Sequence, residues 1–370
     1  MQPCDSDGKT RRPETVFPPR AQWRAAAAHP GACLHYPARM TPHPSAVPSC
    51  WAISDGAAGN ERQALALARA LGLAPRELRV HVRQPWAAFA PRLTAGAHAA
   101  IRDEAGAPLL PPWPDIAIGC GRRAALVTRL LRGWSDARTF CVQILDPRID
   151  SAAFDLVIAP QHDRVEGTNV IHSIGALNPV DHEWLGAARA RFAAFGALPT
   201  PRTTVLVGGS NRAQRLDGAY FDALLERLAT RHSVDGGSFL TSVSRRTPPP
   251  VTARLRKAFA AFPGVLWSGP DDGENPYAGF LAWADRIVVT PDSVNMLSEA
   301  CATGKPVYTF APRAVTGKLA AFHAELLASG HLRRLDDNAS LAQPAPLAET
   351  AAIAELVRER WQAFTASAPH

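Results

Sequence analysis

The chain has 370 residues, of which 46% are hydrophobic and 20% charged, and its formal net charge is +7. This length is too great for one small core, so two domains are the default expectation for what reads as an ordinary globular protein. No apolar run approaches the ~18 residues that a membrane span requires. The basic excess is spread thinly and forms no dense stripe, so we expect no nucleic-acid partner.

The six cysteines include no C-x-x-C pair and are too scattered for a disulfide framework or a zinc site. We therefore expect reduced thiols in a cytoplasmic protein, with no bound metal.

Residues 1–46 are rich in proline, arginine and histidine and lack the apolar core of a signal peptide. We expect a disordered leader over 1–46. A true start near Met40, just before the first strand pattern, is the alternative interpretation.

From Cys50 onward, short apolar runs alternate with helical stretches. The pattern predicts strands at 50–54, 77–82, 115–119, 140–145, 155–159 and 169–172, with helices at 60–71, 121–132 and 181–194. A proline-bearing stretch at 196–202 is typical of a linker. Beyond it, the pattern predicts strands at 203–207, 237–241, 264–267, 286–290 and 306–310, with helices at 214–230, 250–261 and 348–366.

This alternation predicts an α/β fold of two Rossmann-like domains facing across a cleft, with a C-terminal helix. We place the domains at 47–197 and 198–370, and assign the last helix to the second of them.

The segment 286–310 reads as strand, polar turn, helix and strand. Its turn gathers Asp292, Ser293 and Asn295 at a helix N-terminus, where free N–H groups and the helix dipole favour an anion. Glu299 follows one turn later and is an acceptor suited to ribose hydroxyls. The segment therefore predicts a nucleotide site.

The first strand ends in a turn that carries Asp55, Gly56 and Gly59. Loops at the carboxyl ends of parallel strands face the ligand crevice, so Asp55 is placed to act as a general base or to orient an acceptor hydroxyl. The alternative is that Asp55 only caps the helix or stabilises the turn.

A later turn holds Gly119, Gly121 and Arg122 and matches G-x-G-x-x-A, the dinucleotide fingerprint, with Asp146 as a candidate ribose ligand. The match lies on a later strand, and no tyrosine is followed four positions on by lysine, as in short-chain dehydrogenases. We favour a loop that faces an anion or an acceptor over an NAD site. A tight turn for helix packing is the other interpretation.

Two turns of the second domain predict phosphate contacts, because glycines expose backbone N–H groups and arginine grips phosphate oxygens as a fork. An isolated arginine pair is more often solvated surface. His162, after the strand 155–159, is a secondary candidate at the acceptor side, although a lone histidine there is more often structural. The phosphate candidates are Gly208, Gly209, Ser210, Arg212, Ser244, Arg245 and Arg246.

Several motifs together resemble one family. WAISDGAAGNERQALALARALG, PDIAIGCGRRAA, CVQILDPR, FDLVIAPQHD, VLVGGSNR, SVSRRTP and DSVNMLSEACATGKPV are similar to the mitochondrial-fission Elm family of plant elongated-mitochondria proteins and bacterial relatives. That family resembles glycosyltransferases of the two-Rossmann GT-B type, and the Arg245-Arg246 turn and the 273–299 run resemble lipid-A Kdo transferases. The chain departs from the latter in lacking a glycine-rich turn before Asn295.

The resemblance implies a donor site in the second domain and an acidic base in the first. Carried over, the base is Asp55. The turns themselves supply the candidates for the acceptor side, which are Gly56, Gly59, Gly119, Gly121, Arg122 and His162. The donor would be held by Gly209, Ser210, Arg245, Ser293, Asn295 and Glu299.

Our leading hypothesis is a metal-independent, inverting GT-B glycosyltransferase with a nucleotide-sugar co-substrate and no other cofactor, acting in lipopolysaccharide-like envelope glycoconjugate synthesis. Its acceptor would be lipid-linked or an anionic glycan at the inner membrane, to which a cytoplasmic protein could bind peripherally. The alternatives are a non-catalytic Elm-type adaptor, as the plant relatives recruit a dynamin-like GTPase to mitochondria, and an NAD-dependent nucleotide-sugar epimerase.

Overall fold

The computed structural model describes residues 47–337 and 345–367, so the leader predicted at 1–46 lies outside the described residues. We call residues 47–197 the first half and residues 198–337 the second half. The strands of the first half are β1 (Cys50–Ser54), β2 (Pro75–Arg79), β3 (His81–Val82), β4 (Ile101–Arg102), β5 (Ile116–Cys120), β6 (Phe140–Ile144), β7 (Leu156–Pro160) and β8 (Val170–Ser173). Its helices are α1 (Ala58–Ala70), α2 (Trp86–Phe89), α3 (Arg122–Trp134) and α4 (His182–Arg191).

The second half repeats the alternation of strand and helix. Its strands are β9 (Arg202–Val207), β10 (Ser238–Val243), β11 (Gly264–Trp267), β12 (Arg286–Val289), β13 (Val307–Thr309) and β14 (Arg333–Arg334). Its helices are α5 (Gly218–Asp235), α6 (Pro249–Phe259), α7 (Tyr277–Trp283), α8 (Val294–Ala302) and α9 (Gly317–Ala328), and α10 (Glu349–Ser367) follows.

Two six-stranded parallel sheets organise the described residues. The first runs β2-β1-β5-β6-β7-β8, and β3 pairs with β4 in a separate antiparallel pair. The second runs β11-β10-β9-β12-β13-β14, which is the Rossmann order 3-2-1-4-5-6. Strand order reverses beside β1 in the first sheet and beside β9 in the second. A ligand crevice is therefore expected after β1 and β5, and after β9 and β12.

Apolar side chains cover both faces of each sheet, as parallel sheets require. Leu67 of α1 packs with Ile118 and Val142 on one face of the first sheet. Val205 and Val288 pack with α5 and α6 on one face of the second sheet. The predicted architecture of two Rossmann-like halves is confirmed.

Helix α10 packs on the first sheet, although the sequence grouped it with the second half. Ile353, Ala354 and Val357 are buried in the same cluster as Leu67, and Phe364 lies against Phe140 with ring centroids 5.2 Å apart. The amphipathic pattern identified the apolar face of this helix but not the sheet that the face covers.

The predicted strand 77–82 is interrupted. Strand β2 ends at Arg79, and β3 begins at His81 and pairs with β4 rather than with the sheet. Helices α7 and α9 and the β3–β4 pair were not predicted. Across the described part of the chain, no helix combines the length and apolarity needed to cross a bilayer.

Candidate functional site

The turns of the second sheet converge on the carboxylate of Asp292, which is fully buried. Its Oδ1 accepts a hydrogen bond from Thr290 Oγ1 at 2.7 Å, and its Oδ2 accepts from Gly209 N at 3.1 Å and from Arg246 Nη2 at 2.8 Å. Asn211 Nδ2 donates to the Asp292 carbonyl oxygen. Asp292 therefore holds the turns after β9, β10 and β12 together, and one of the two predicted arginines is bound to it.

Both positions after β9 need glycine because neighbouring turns approach the backbone closely there. A Cβ at Gly208 would collide with the Asp292 carboxylate, and a Cβ at Gly209 would collide with the Arg246 carbonyl oxygen. The turn needs glycine for packing before any ligand is considered. The predicted contact of these glycines with a phosphate stays a prediction.

The remaining phosphate candidates of the second half differ in whether their polar groups are already hydrogen-bonded to the protein. Ser210 Oγ is used inside its own loop, where it accepts from Leu216 N and donates to Leu216 O. Ser244 Oγ accepts from Arg246 N at 3.2 Å. Arg212 and Arg245 are exposed, and no hydrogen bond or ion pair joins either guanidinium to another described residue. These two arginines are the cations of this region that a ligand could recruit without breaking a bond.

In the first half, Asp55 lies at the carboxyl end of β1, where the topology predicts a crevice. Its Oδ1 accepts from Ala57 N at 3.3 Å and from Asn60 Nδ2 at 3.0 Å. Among the described residues, no donor reaches its Oδ2. Gly56 has φ of 79°, a left-handed conformation that glycine favours, and a Cβ there would meet no atom within 4 Å. Asp55 therefore stabilises its turn with one oxygen and keeps the other available.

The turn after β5 is held by local packing. A Cβ at Gly119 would collide with Thr128 Oγ1, and one at Gly121, where φ is 88°, would collide with Asn60 Nδ2. Arg122 donates to the carbonyl oxygens of Ala87 and Ala88. Arg122 thus anchors the α2 segment, and the turn has the close helix packing that we weighed as the alternative.

Asp146 and His162 lie where the halves meet. Lys318 of α9 donates to Asp146 Oδ2 at 3.2 Å and to Asp163 Oδ1 at 2.8 Å, so Asp146 is engaged rather than free for a ribose. His162 packs against Phe322, its Nδ1 has no partner among the described residues, and burial lowers its pKa. The residues around His162 therefore form an ionic and apolar contact between the two halves.

Two cavities meet at Arg245. The interhalf cavity, of about 410 Å³, lies between Gly56, Arg62 and Arg79 of the first half and Arg245 of the second. The second-half cavity, of about 400 Å³, lies on the other side of Arg245, and several of its lining residues bear hydroxyls. Those hydroxyl-bearing residues are Ser244, Thr247, Thr252 and Ser268. A third depression, of about 430 Å³ and mainly apolar, lies near α4 and α10 and contains none of the predicted site residues.

The N-terminal turns of α8 press against the first half. Ser293 caps the helix by accepting from Met296 N at 3.4 Å. Asn295 lies so close to α1 that a Cβ at Gly59 would collide with its Nδ2. Ser298 Oγ accepts from Ala176 N at 2.8 Å. The helix that the sequence assigned to a donor therefore also forms the contact between the two halves.

Glu299 is buried, with 2% of its surface exposed. Arg62 of α1 donates from Nη1 to its Oε1 at 2.5 Å, and Tyr277 of α7 donates from Oη to its Oε2 at 2.5 Å. Burial and the neighbouring carboxylate raise the pKa of Tyr277, and the same carboxylate raises the pKa of Arg62. Both oxygens predicted to face a ribose are thus occupied by protein groups.

The sequence missed Arg62 and Lys318, which join the two halves. It also missed Tyr277, which bonds Glu299 within the second half, and Glu349, which ties α10 to the first half. Arg62 lies in the helix directly after the Asp55 turn, and Tyr277 directly follows the 273–276 motif. That adjacency was a usable signal. Lys318 is one of only four lysines, but its acidic partners are 155 and 172 residues away in sequence, so no local pattern marks it.

Metal-binding chemistry has no local support in the structure. Within 47–337 and 345–367, histidine, cysteine, aspartate and glutamate side chains form no group of three that could hold an ion. The four described cysteines are buried and unpaired. Metal independence stays a prediction.

Comparison with known sequences shows the family of this chain. The family model described as Mitochondrial fission ELM1 matches residues 58–361. Mitochondrial fission protein ELM1 of Arabidopsis thaliana is 34% identical over 282 residues, which are 66% of this chain and 63% of that protein. An uncharacterized protein of Rickettsia prowazekii (strain Madrid E) is 27% identical over 300 residues, which are 71% of this chain and 83% of that protein.

The fold also matches a solved structure. A UDP-GlcNAc 2-epimerase from Methanocaldococcus jannaschii aligns with 84% of this chain and 99% of its own, with a TM-score of 0.50 and 12% identity. At that identity the likeness concerns the fold alone, which is GT-B-like. Because the family model spans most of the described residues, from α1 into α10, the chain belongs to the mitochondrial fission ELM1 family.

Proposed function

We propose that this protein is a metal-independent GT-B glycosyltransferase that binds a nucleotide sugar and acts on a cell-envelope glycoconjugate. The observation that carries the proposal is the interhalf cavity, which opens at the carboxyl ends of both sheets and joins the Asp55 turn to the free Arg245. Nucleotide ligands bind at such switch points in open α/β sheets.

Arg245 would bind the diphosphate of the proposed donor at the edge of the interhalf cavity. Its guanidinium suits a diphosphate, because arginine pairs with phosphate oxygens through two parallel hydrogen bonds. The ribose would lie on the Arg62 side of the interhalf cavity, near Glu299, and the transferred sugar would lie in the same cavity beside the Asp55 turn. Arg246 is held by Asp292, so we assign the phosphate contact to Arg245 rather than to the pair.

Asp55 would act as the general base. Its free Oδ2 would take the acceptor hydroxyl proton as the acceptor oxygen bonds to the anomeric carbon. The bond from that carbon to the phosphate oxygen would break, and its electron pair would leave with the nucleoside diphosphate. A lipid-linked or anionic acceptor at the cytoplasmic face of the inner membrane would fit this role.

Ligand binding tests the proposal. We expect one class among uridine, guanosine, cytidine and thymidine diphosphate sugars to bind in the presence of a chelator, as measured by calorimetry. Arg245→Ala should weaken that binding about tenfold or more, since a hydrogen bond to a charged group contributes about 1.5–3 kcal/mol. Arg227→Ala removes another exposed arginine, outside both cavities, and should leave the affinity unchanged. Absence of binding to all four classes would overturn the proposal.

A non-catalytic adaptor is the second candidate, and the observation that favours it is the family itself. The Arabidopsis relative is described as a mitochondrial fission protein, and the chain spans 63% of its length. In this role, the contacts between the halves would keep the molecule rigid, so that its surface could bind a protein partner.

A further inference from the structure

The Arg62–Glu299 contact lies where the proposed function needs a free carboxylate. Arg62 belongs to the first half, whereas Glu299 and Tyr277 belong to the second. The Arg62 side chain is 45% exposed and that of Glu299 is 3% exposed. The guanidinium carbon also lies 5.7 Å from the centre of the Tyr277 ring. One exposed cation from the first half therefore covers a buried anion of the second.

A buried carboxylate needs hydrogen-bond donors, because an unpaired buried charge costs several kcal/mol. Tyr277 satisfies Oε2 from within the second half, and Arg62 satisfies Oε1 from across the cleft. Any ligand that binds Glu299 must therefore bring a donor of its own to replace Arg62. The hydroxyls of a ribose can do so, whereas the phosphates of a nucleotide, which are acceptors, cannot.

We propose that Arg62 competes with the ribose of the nucleotide for Glu299, so that donor binding releases an ion pair between the two halves. This inference rests on the proposed function. A half-exposed cation suits the role, because solvent and an incoming ligand can both reach its guanidinium. Arg62 is thus a positioning residue that joins the two halves across the cleft, and the energy of its pair with Glu299 is subtracted from the affinity for the nucleotide.

Arg79 supplies a matched control. It lines the same cavity, but its guanidinium is satisfied by Glu61 and Glu104 within the first half. Arg79→Met and Arg62→Met remove the same charge from the same cavity and keep a similar apolar stem. Only Arg62→Met removes a hydrogen bond from Glu299.

The test compares the nucleoside diphosphate of the class that the wild type binds with its 2′,3′-dideoxy form, which lacks the ribose hydroxyls. We expect Arg62→Met to bind the ribonucleotide about three- to tenfold more tightly than the wild type does. Binding of its dideoxy form should change less than twofold. Arg79→Met should not tighten either. Thermal unfolding of each variant verifies that it is folded.

Each other outcome is decisive. Weaker ribonucleotide binding by Arg62→Met would make Arg62 a ligand contact and overturn the competition. Equal affinities of wild type and Arg62→Met would also overturn it, while leaving the proposed function in place. Absence of binding to all four classes of nucleotide sugar by the wild type and both variants would overturn the proposed function, and the competition with it.

Discussion

Single residues decide how closely the ligand turns can approach one another. Gly208 and Asp292 come from turns 84 residues apart in sequence, and their contact has no room for a methyl group. Burial of Asp292 is tolerated because Thr290, Gly209 and Arg246 donate to its carboxylate. The same contacts fix the turn that carries Arg245 beside its cavity.

We expect Gly208→Ala to lower the free energy of unfolding by about 1–3 kcal/mol, the usual cost of overpacking. The backbone of Gly208 lies outside the left-handed region, so the cost is steric and not conformational. Gly186→Ala is the control, because a Cβ at this exposed position in α4 meets no atom within 4 Å. Urea denaturation should show Gly186→Ala neutral or stabilised by up to about 1 kcal/mol. Equal losses in the two variants would refute the steric account.

The sequence predicted which residues gather at the carboxyl ends of the strands, but not how they are used. Asp292 and Glu299 were both identified as ligand residues from the turn and the helix that carry them. Their partners Arg246 and Arg62 lie 46 and 237 residues away. Local patterns carry no information on such pairings, because the fold alone brings them together.

At the scale of elements, α10 joins the first half through its first residue. Glu349 accepts hydrogen bonds from Ile174 N at Oε1 and from Gly175 N at Oε2, both at 2.8 Å. Thr350 and Asn178 exchange a further pair of bonds. The loop after β8 is thereby tied to the start of the last helix.

We expect Glu349→Gln to destabilise the protein by about 1.5–3 kcal/mol. Glutamine keeps one acceptor oxygen, and its amide nitrogen would face a backbone N–H donor. Glu359→Gln changes an exposed residue of the same helix and should stay within about 0.5 kcal/mol of the wild type in the same denaturation experiment. A loss of similar size at Glu359 would point to net charge rather than to the Glu349 bonds.

At the scale of the whole molecule, the alternation of strand and helix was enough to predict two Rossmann-like halves. The direction in which α10 packs was not predictable, since an amphipathic helix can cover any apolar face of the right width. The closed contact between Gly59 and Asn295 was equally hidden. Both depend on how the two halves meet.

The enzyme and adaptor hypotheses separate at Asp55. If the protein is a glycosyltransferase, Asp55→Asn should lower the rate of sugar transfer about 10²–10⁴-fold, the usual contribution of a general base, with nucleotide affinity retained. The substituted amide has nearly the shape of the carboxylate and keeps an acceptor oxygen, so the turn should be preserved. Asp136→Asn, at an exposed position, should have no effect.

Complementation of a strain that lacks the gene gives the second readout. Loss of complementation by Asp55→Asn, with Asp136→Asn active, would support the enzyme. Full complementation by both variants would contradict a catalytic role for Asp55 and favour the adaptor.

The return of α10 to the first sheet has a consequence for biosynthesis. Leu67 and Phe140 belong to a core that also contains Ile353 and Val357. The ribosome adds about 5–20 residues per second. The residues of α10 that complete this core are therefore synthesised on the order of tens of seconds after the first half. Until then, part of the apolar surface of the first half faces solvent in the nascent chain. The first half is translated before the second, but its apolar core is the later of the two to be fully buried.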